Sequence, residues 1–252
     1  MPLVVGIILA ALYGLLIGSF LNVCIYRIPK GESIVTGSSH CMHCGHRLSW
    51  YELFPLFSYL FLRARCRSCK ARISPQYPLI EAFNALLTVS TFFAFGFSVK
   101  TLLLSFAFAM LLVISIIDLR TQVIPDGLVA ALGVCGILAM VLLQDIPFHE
   151  RLIGAAAVSL PLGIIAVATA GMGEDGGMGW GDVKLMAAAG LLLGWKNILF
   201  AAGIGVVLAA AVALLLRLRK GTAIPLGPFL SAGIFIGGLW GEGLISWYTG
   251  LF

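Results

Sequence analysis

One stretch decides the fold: Leu102-Leu-Leu-Ser-Phe-Ala-Phe-Ala-Met-Leu-Leu-Val-Ile-Ser-Ile-Ile-Asp118, an uncharged run that ends on a carboxylate. Such a run is typical of a membrane-spanning helix, since about 20 apolar residues cross the core of a bilayer. Apolar runs of this kind lie at about 3–25, 79–97, 100–117, 127–143, 152–170, 197–216 and 226–247. A shorter run, 183–194, covers only about half of a bilayer core. Counting it gives eight spans, and omitting it gives seven.

The composition supports the same architecture. Of the 252 residues, 60% are hydrophobic and only 11% are charged, whereas a soluble domain has about 25% charged residues. We therefore predict an all-α integral membrane protein, a polytopic bundle of about eight transmembrane helices in the lipid bilayer. The excess of Lys and Arg, 16 against 11 Asp and Glu, is expected to set the topology, so no nucleic-acid partner is expected.

The distribution of basic residues predicts the orientation. With eight spans and the N-terminus outside, the inside segments are 26–78, 118–126, 171–184 and 217–225, and they contain thirteen of the sixteen Lys and Arg residues. Cytoplasmic loops carry such an excess. The chain then divides into a first transmembrane helix (1–25), a cytoplasmic insertion (26–78) and a transmembrane core (79–252).

The insertion contains two CxxC pairs, Cys41-Met-His-Cys44 and Cys66-Arg-Ser-Cys69. Four thiolates at this spacing suit a tetrahedral zinc ion, and a closed four-cysteine site is normally structural. A cytoplasmic location argues against disulfides. Two alternatives remain open: a histidine among His40, His43 and His46 replaces one ligand, or the cysteines stay reduced and bind no metal.

Two aspartates lie at the ends of apolar runs, on the side predicted to be cytoplasmic. Asp118 follows one run, and Asp182 follows the glycine-rich stretch 171–181 and precedes another. Ionisable groups near the membrane are costly and are candidates for function. Two carboxylates close together share a proton, so that one activates a water while the other protonates a carbonyl. The alternative is structural, with Asp182 capping its helix and Asp118 in a loop.

Other polar residues near this position are second-line candidates. Asp126 precedes an apolar run and suits an N-cap or an interfacial position, and Lys184 either orients substrate or extends to the interface. The stretch Gly171-Met-Gly-Glu-Asp-Gly176 has the form G-x-G-x-x-G, but it follows a membrane span and not a strand, which excludes a dinucleotide site. Its glycines predict a mobile loop that lets the Asp182 backbone approach another helix. Three sets of glycines four residues apart predict close helix packing: Gly14/Gly18, Gly190/Gly194 and Gly233/Gly237/Gly241.

Five features together resemble the type IV prepilin peptidases, which are G-x-G-D intramembrane aspartyl proteases. Gly179-Trp-Gly-Asp182 resembles the G-x-G-D motif, and Asp118-Leu-Arg-Thr-Gln-Val-Ile-Pro-Asp126 resembles its partner motif. The other three features are the paired CxxC motifs and two N-terminal segments, Gly18-Ser-Phe-Leu-Asn-Val-Cys-Ile-Tyr-Arg-Ile-Pro29 and Ile73-Ser-Pro-Gln-Tyr-Pro-Leu-Ile-Glu81. The resemblance runs from about residue 14 to Ile224-Pro-Leu-Gly-Pro228. It departs from a common pattern at Arg120, where many members carry an acidic residue.

The resemblance implies an activity. Asp118 and Asp182 would be the catalytic pair, with Gly179, Gly181, Lys184 and Asp126 as loop or substrate-positioning residues. The substrate would be a prepilin or a type II secretion pseudopilin, cut on the cytoplasmic side of the bacterial inner membrane after a glycine. Family members with the cysteine loop often also methylate the new N-terminus with S-adenosylmethionine, although no segment here predicts where that cofactor binds.

Three other functions compete with this interpretation. A transporter also has many spans and buried carboxylates, but no inverted repeat is visible and both aspartates lie near one face. A membrane methyltransferase without protease activity would tolerate substitution of both aspartates. A zinc-dependent membrane protease would carry H-E-x-x-H, which is absent from the sequence.

Overall fold

The structure is a computed structural model that describes residues 2–170, 178–217 and 224–250. Within those ranges the chain is helical and has no named strand, which confirms the predicted all-α class. The helices are α1 (Pro2–Arg27), α2 (Phe57–Phe61), α3 (Gln76–Phe95), α4 (Val99–Thr121), α5 (Asp126–Leu142), α6 (Phe148–Ala157), α7 (Ser159–Thr169), α8 (Trp180–Leu215) and α9 (Gly227–Thr249). Two short 3-10 helices, Ile28–Lys30 and Trp50–Leu53, lie between α1 and α2.

Six of the described helical segments are long and apolar enough to cross a membrane: Leu3–Lys30, Gln76–Phe95, Val99–Thr121, Phe148–Thr169, Trp180–Leu215 and Gly227–Tyr248. A shorter apolar helix, Asp126–Leu142, adds a seventh. The predicted runs 183–194 and 197–216 both lie in α8, which bends between them. All eight predicted runs are therefore helical in the described part of the chain, and the protein is a multi-pass membrane protein.

The chain forms two compact units, Met1–Thr101 and Leu102–Phe252. In the first unit α1 and α3 run antiparallel in close contact. A Cβ on Gly14 would lie 2.6 Å from the Cα of Ala85, and one on Gly18 would lie 2.7 Å from the Cα of Glu81. The amide of Asn84 donates to the carbonyl of Gly14 at 2.8 Å. The close packing predicted for the Gly14/Gly18 pair is confirmed.

A side chain of α3 also holds the insertion. Glu81 is buried in α3, and its Oε2 accepts the backbone N–H of Leu56 at 2.8 Å. Leu56 directly precedes α2. This bond fixes the short helices of the insertion to the first turns of a membrane-spanning helix.

The second unit contains α4, the most buried of the candidate spans among the described residues. Phe108 of α4 packs edge to face on Phe235 of α9, with ring centroids 4.9 Å apart. Asp118 lies in the last turn of α4. The most enclosed helix of this unit therefore carries one of the two candidate aspartates at its end.

Helix α8 has a sharp kink at Gly194, where φ is 74°. Only glycine adopts this left-handed conformation without a steric penalty. The buried guanidinium of Arg151 donates to the carbonyls of Leu191 at 3.2 Å and Leu192 at 2.5 Å, and to Asp145 Oδ1 at 2.7 Å. A kink leaves helical carbonyls without N–H partners. Arg151 satisfies two of them and so stabilises the end of the first arm of α8.

Glycines also bring the neighbouring helices against α8. A Cβ on Gly190 would lie 2.1 Å from the carbonyl oxygen of Gly154 in α6, and one on Gly233 of α9 would lie 2.1 Å from the carbonyl oxygen of Ala201. Real Cβ atoms do not approach backbone atoms so closely. The close packing predicted for these glycine sets is therefore confirmed as well.

Gly190 and Gly203 lie on the same helix and offer a matched test of this packing. Gly190→Ala is expected to destabilise the protein by at least about 1–3 kcal/mol, because two backbones must separate to admit the methyl group. At Gly203 an added Cβ would have nothing within 4 Å, so Gly203→Ala should be neutral or slightly stabilising. Thermal denaturation in detergent measures both. Equal melting temperatures for the two variants would contradict the described packing of α6 on α8.

Candidate active site

Asp118 is held at the end of α4 by the start of another helix. Its side chain is buried, and its Oδ2 accepts the backbone N–H of Gly227, the first residue of α9, at 2.9 Å. A Cβ on Gly227 would lie only 2.7 Å from that same oxygen. Any other residue at position 227 would push the Asp118 carboxylate from its observed position. Asp118 belongs to a helix, so its predicted alternative position in a loop is wrong.

Asp182 lies in the first turn of α8 and is 9% exposed. The N-cap of α8 is Gly179, which makes no side-chain capping bond, so Asp182 is not the N-cap residue. Its Oδ1 is buried and has no hydrogen-bond partner among the residues that the structure describes. A buried polar atom without a partner is costly. Such an atom is expected where a water or a substrate completes the site.

The two carboxylates lie at the same end of the second unit. The segment that follows α4 contacts the first turn of α8: a Cβ on Gly181 would lie 2.8 Å from the Cβ of Ile124. Asp182 directly follows Gly181, and Asp118 lies six residues before Ile124. The structure therefore brings into contact the two segments that carry the predicted pair of aspartates.

Gly179 and Gly181 differ in whether the packing leaves room for a side chain. Gly181 has no room for a side chain beside Ile124, whereas a Cβ on Gly179 would make an ordinary contact of 3.5 Å with Asp182 Oδ2. The φ of Gly179 is −68°, which any residue adopts. Of the two motif glycines, only Gly181 is required by the observed packing.

Asp126 and Lys184 pair with each other at the edge of this site. The Lys184 ammonium lies 2.8 Å from Asp126 Oδ1, and the two side chains are 50% and 74% exposed. Asp126 is the first residue of α5, whose N-cap is Pro125, so its predicted N-cap role is wrong. An exposed pair of this kind contributes about 0–1 kcal/mol. Asp126 is thus far more hydrated than either Asp118 or Asp182.

The predicted glycine loop lies mostly outside the described residues, which omit 171–177. Its described neighbours are joined across the gap, since the backbone N–H of Met178 donates to Thr169 Oγ1 at 3.1 Å. The residue two positions before α8 therefore lies next to the last residue of α7.

The four predicted zinc ligands form a second candidate site, within the first unit. All four Sγ atoms lie within 4.8 Å of one another, and those of Cys41 and Cys69 are 3.8 Å apart. Four thiolates about 2.3 Å from one tetrahedral zinc ion would be about 3.8 Å apart. The residues present therefore fit zinc. The cluster contains none of the three histidines of the insertion.

Each CxxC pair forms the same tight turn. The backbone N–H of Cys41 donates to the carbonyl of His46, and the backbone N–H of Gly45 donates to the carbonyl of Cys41, both at 2.9 Å. The second pair repeats this pattern: the backbone N–H of Lys70 donates to the carbonyl of Cys66 at 3.0 Å. Gly45 and Lys70 both have positive φ, 70° and 60°. These turns direct two sulfurs from each segment to one point.

Backbone and charge effects act in opposite directions at two of the four cysteines. The backbone N–H of His43, with that of Cys44, lowers the pKa of the Cys41 thiol to about 7. At Cys69 the N–H of Ala71 favours the thiolate, but desolvation and the other three cysteine sulfurs outweigh it and raise the pKa to about 11. Four thiolates so close together repel one another unless a cation lies between them.

Sequence reasoning missed two residues that shape the aspartate site. Gly227 lies 109 positions from Asp118, and its only sequence signal is its place in Ile224-Pro-Leu-Gly-Pro228. Ile124 lies inside the Asp118–Asp126 motif but is apolar, and nothing in the sequence distinguishes it from a membrane-facing residue. Both matter because they contact a segment remote in sequence.

Comparison with known proteins decides the family. Residues 12–95 match the bacterial peptidase A24 N-terminal domain, and residues 105–214 match the type IV leader peptidase family. A prepilin leader peptidase/N-methyltransferase of Pseudomonas putida is 35% identical, over 94% of this chain and 91% of its own length. This chain belongs to the type IV leader peptidase family. The predicted resemblance is confirmed.

Other relatives cover the chain equally well. Proteins with that same name from Aeromonas hydrophila and Bacillus subtilis (strain 168) are each 33% identical, over 95% and 94% of this chain and 92% and 95% of their own lengths. No solved structure matches the chain significantly. The family therefore rests on sequence, and it places both the cysteine insertion and the two aspartates inside matched segments.

Substitution of one cluster cysteine tests the metal site. Cys44→Ser is expected to reduce bound zinc from about one ion per chain to almost none and to lower the melting temperature, because metal binding contributes folding energy to a small module. Cys135→Ser, a cysteine of α5 outside the cluster, should keep its zinc. Metal analysis of the purified full-length protein measures both. Undiminished zinc in Cys44→Ser would contradict the assignment.

Proposed function

We propose that this chain is a membrane aspartyl endopeptidase that removes the leader of type IV prepilins or type II secretion pseudopilins after a glycine, and then methylates the new N-terminus. The observation that carries the proposal is the convergence of two buried aspartates, Asp118 and Asp182, at the ends of α4 and α8. The names of the relatives, prepilin leader peptidase/N-methyltransferase, supply the substrate class and the second activity.

The geometry supports an acid–base mechanism. Two carboxylates close together hold one proton between them. The ionised one takes a proton from a water, whose oxygen attacks the scissile carbonyl carbon, while the protonated one gives its proton to the carbonyl oxygen. The tetrahedral intermediate then collapses as the carbon–nitrogen bond breaks. The carboxyl group that took the water's proton gives it to the leaving nitrogen, and the other carboxylate takes back a proton from a hydroxyl group of the intermediate. Gly227 N–H orients Asp118, and the unpartnered Oδ1 of Asp182 is available to water or substrate.

The position of the pair suits the substrate. Prepilins have a basic leader followed by an apolar helix, and that helix would lie in the bilayer with the scissile bond near its end. Both aspartates lie at the ends of apolar spans. The thirteen basic residues in the segments 26–78, 118–126, 171–184 and 217–225 favour the cytoplasmic side for that end. We place the enzyme in the bacterial inner membrane in this orientation.

The remaining predicted residues take supporting roles in this proposal. Gly181 lets α8 approach Ile124 and so sets the depth of Asp182. Lys184 and Asp126 pair at the exposed rim of the site and take no part in the acid–base step. Zinc, held by the four cysteines, would be structural, because a closed four-thiolate site leaves no position for water or substrate.

Conservative substitution of each aspartate tests the peptidase. Asp118→Asn and Asp182→Asn keep the shape of the side chain and remove its ionisation, so each is expected to slow prepilin cleavage in liposomes by about 10²–10⁴-fold or more. Asp126→Asn is the matched control and should stay within a few-fold of the unsubstituted enzyme, because it breaks only an exposed ion pair.

Melting temperatures must show that all three variants fold. If Asp118→Asn or Asp182→Asn cuts at nearly the original rate, that aspartate is structural. If Asp126→Asn alone loses activity, Asp126 replaces it in the catalytic pair.

A further inference from the structure

A patch of exposed aromatic side chains covers part of the insertion in the first unit. Five rings form this aromatic patch: Trp50, Tyr51, Phe54, Phe57 and Phe61. They also line a cavity of about 510 Å³. The patch lies outside the candidate membrane spans of the described chain, and the peptidase mechanism uses none of its residues. Proteins rarely leave so many apolar side chains together in water, so the patch indicates a contact surface.

The aromatic patch lies at the level of a membrane surface. Leu56, in the middle of the patch, donates its backbone N–H to Glu81 Oε2 at 2.8 Å. Glu81 belongs to α3, a candidate span that begins at Gln76, and it lies about 7.5 Å along the axis from that residue. Trp and Tyr concentrate where acyl chains meet headgroups. The hydrogen bond therefore places the patch beside the end of a span, where that interface is expected.

Five exposed cations follow the patch and precede α3: Arg63, Arg65, Arg67, Lys70 and Arg72. No acidic residue lies between Glu52 and Glu81 in the sequence, and no ion pair joins any of the five to a carboxylate among the residues that the structure describes. Glu52 itself is buried and accepts the backbone N–H of Ser49. A basic cluster of this size next to a membrane-spanning helix is typical of a site for anionic lipid.

Two of these cations are held side by side. Arg65 and Arg72 face each other in an isolated antiparallel bridge, and side chains directly opposite in such a pair lie about 5 Å apart at Cβ. Like charges in this arrangement repel, and an anion between them relieves the repulsion. Guanidinium groups bind phosphate oxygens through paired hydrogen bonds. The bridge thus presents two cations to one anionic group.

The basic cluster adjoins the aromatic patch. Arg67 lies over the ring of Tyr51, 5.3 Å from its centroid, and donates to the Tyr51 hydroxyl. It also lines the same cavity as the aromatic rings. Apolar rings and phosphate-binding cations therefore form one continuous surface.

We propose that this surface docks the insertion on the anionic phospholipids of the leaflet beside it. The aromatic rings enter the interfacial layer and contact acyl chains, while Arg65, Arg67 and Arg72 bind headgroup phosphates. The docking adds to the hydrogen bond between Leu56 and Glu81 in holding the insertion at the membrane. An acidic protein would match the cations, but it would not account for apolar rings placed at the level of the lipid interface.

Quenching of Trp50 fluorescence by brominated lipid tests this surface in the full-length protein. The emission of Trp50 is the difference between each protein and its Trp50→Phe form, in phosphatidylcholine vesicles that contain phosphatidylglycerol. Bromine is carried either by the phosphatidylglycerol or by an equal amount of the phosphatidylcholine. The two quenching curves give the association constant of the anionic lipid relative to the neutral one.

We expect a relative association constant of about 10 or more, because each basic residue at an anionic surface contributes roughly a fivefold preference. Arg65→Gln/Arg72→Gln should lower it at least about fivefold, and so should about 1 M salt without any substitution. Lys100→Gln/Lys196→Gln is the matched control, since it removes two cations outside the insertion, and it should leave the constant unchanged. Unchanged zinc content shows that the insertion is folded in each variant.

Three results would overturn the proposal. If neither brominated lipid quenches Trp50, the patch faces water or a protein and not the leaflet. If both lipids quench it equally at low salt, the patch contacts the bilayer without recognising anionic headgroups. If the Lys100→Gln/Lys196→Gln control loses the preference as strongly as Arg65→Gln/Arg72→Gln, the preference belongs to the total charge of the protein and not to this surface. None of these measurements uses prepilin cleavage, so the surface and the proposed peptidase can fail independently.

Discussion

The backbone N–H of Gly227 donates to Asp118 Oδ2, and the carboxylate can lie this close because Gly227 has no side chain. A carboxylate at the end of a buried helix needs a donor, and no side chain of the described residues provides one here. The first N–H of α9 provides it instead, at a distance that a Cβ would prevent. On the other side of the site, Gly181 lets α8 come against Ile124 in the same way. Two close contacts made at glycines thus help to set where the two aspartates lie.

The other end of the first arm of α8 is fixed by a buried arginine. The arm of α8 that begins with Asp182 ends at the Gly194 kink, where Arg151 binds the carbonyls of Leu191 and Leu192. A buried arginine is costly unless its donors are satisfied, and here the freed carbonyls and Asp145 satisfy several of them. The arm is therefore held at both ends, which preserves the geometry of a catalytic side chain at its start.

The insertion in the first unit is held by a buried carboxylate and by the cysteine cluster. Glu81 fixes the insertion to α3 through Leu56, and the four sulfurs gather segments that have little apolar core of their own. A small module with few buried side chains gains stability from a metal.

Much of this architecture could be predicted from residue patterns, because they record local constraints. Apolar runs gave the helices, the CxxC spacing gave the sulfur cluster, and the positions of Asp118 and Asp182 at the ends of runs indicated a pair. The run 183–194 was correctly expected to be short, since Gly194 interrupts α8.

Features that depend on contacts between distant segments could not be predicted from the sequence. The role of Gly227 depends on a partner 109 residues away, and that of Arg151 depends on the kink in another helix. Asp126 and Lys184 looked like members of the site, but they satisfy each other at its exposed edge.

The pH dependence of prepilin cleavage tests most directly whether Asp118 and Asp182 act as one pair. A pair that shares a proton is active only when one carboxyl group is protonated and the other ionised. The cleavage rate in liposomes should therefore rise and then fall with pH, and the alkaline fall should occur while the protein is still folded. A rate that stays constant far into the alkaline range, with the fold intact, would contradict the shared-proton pair.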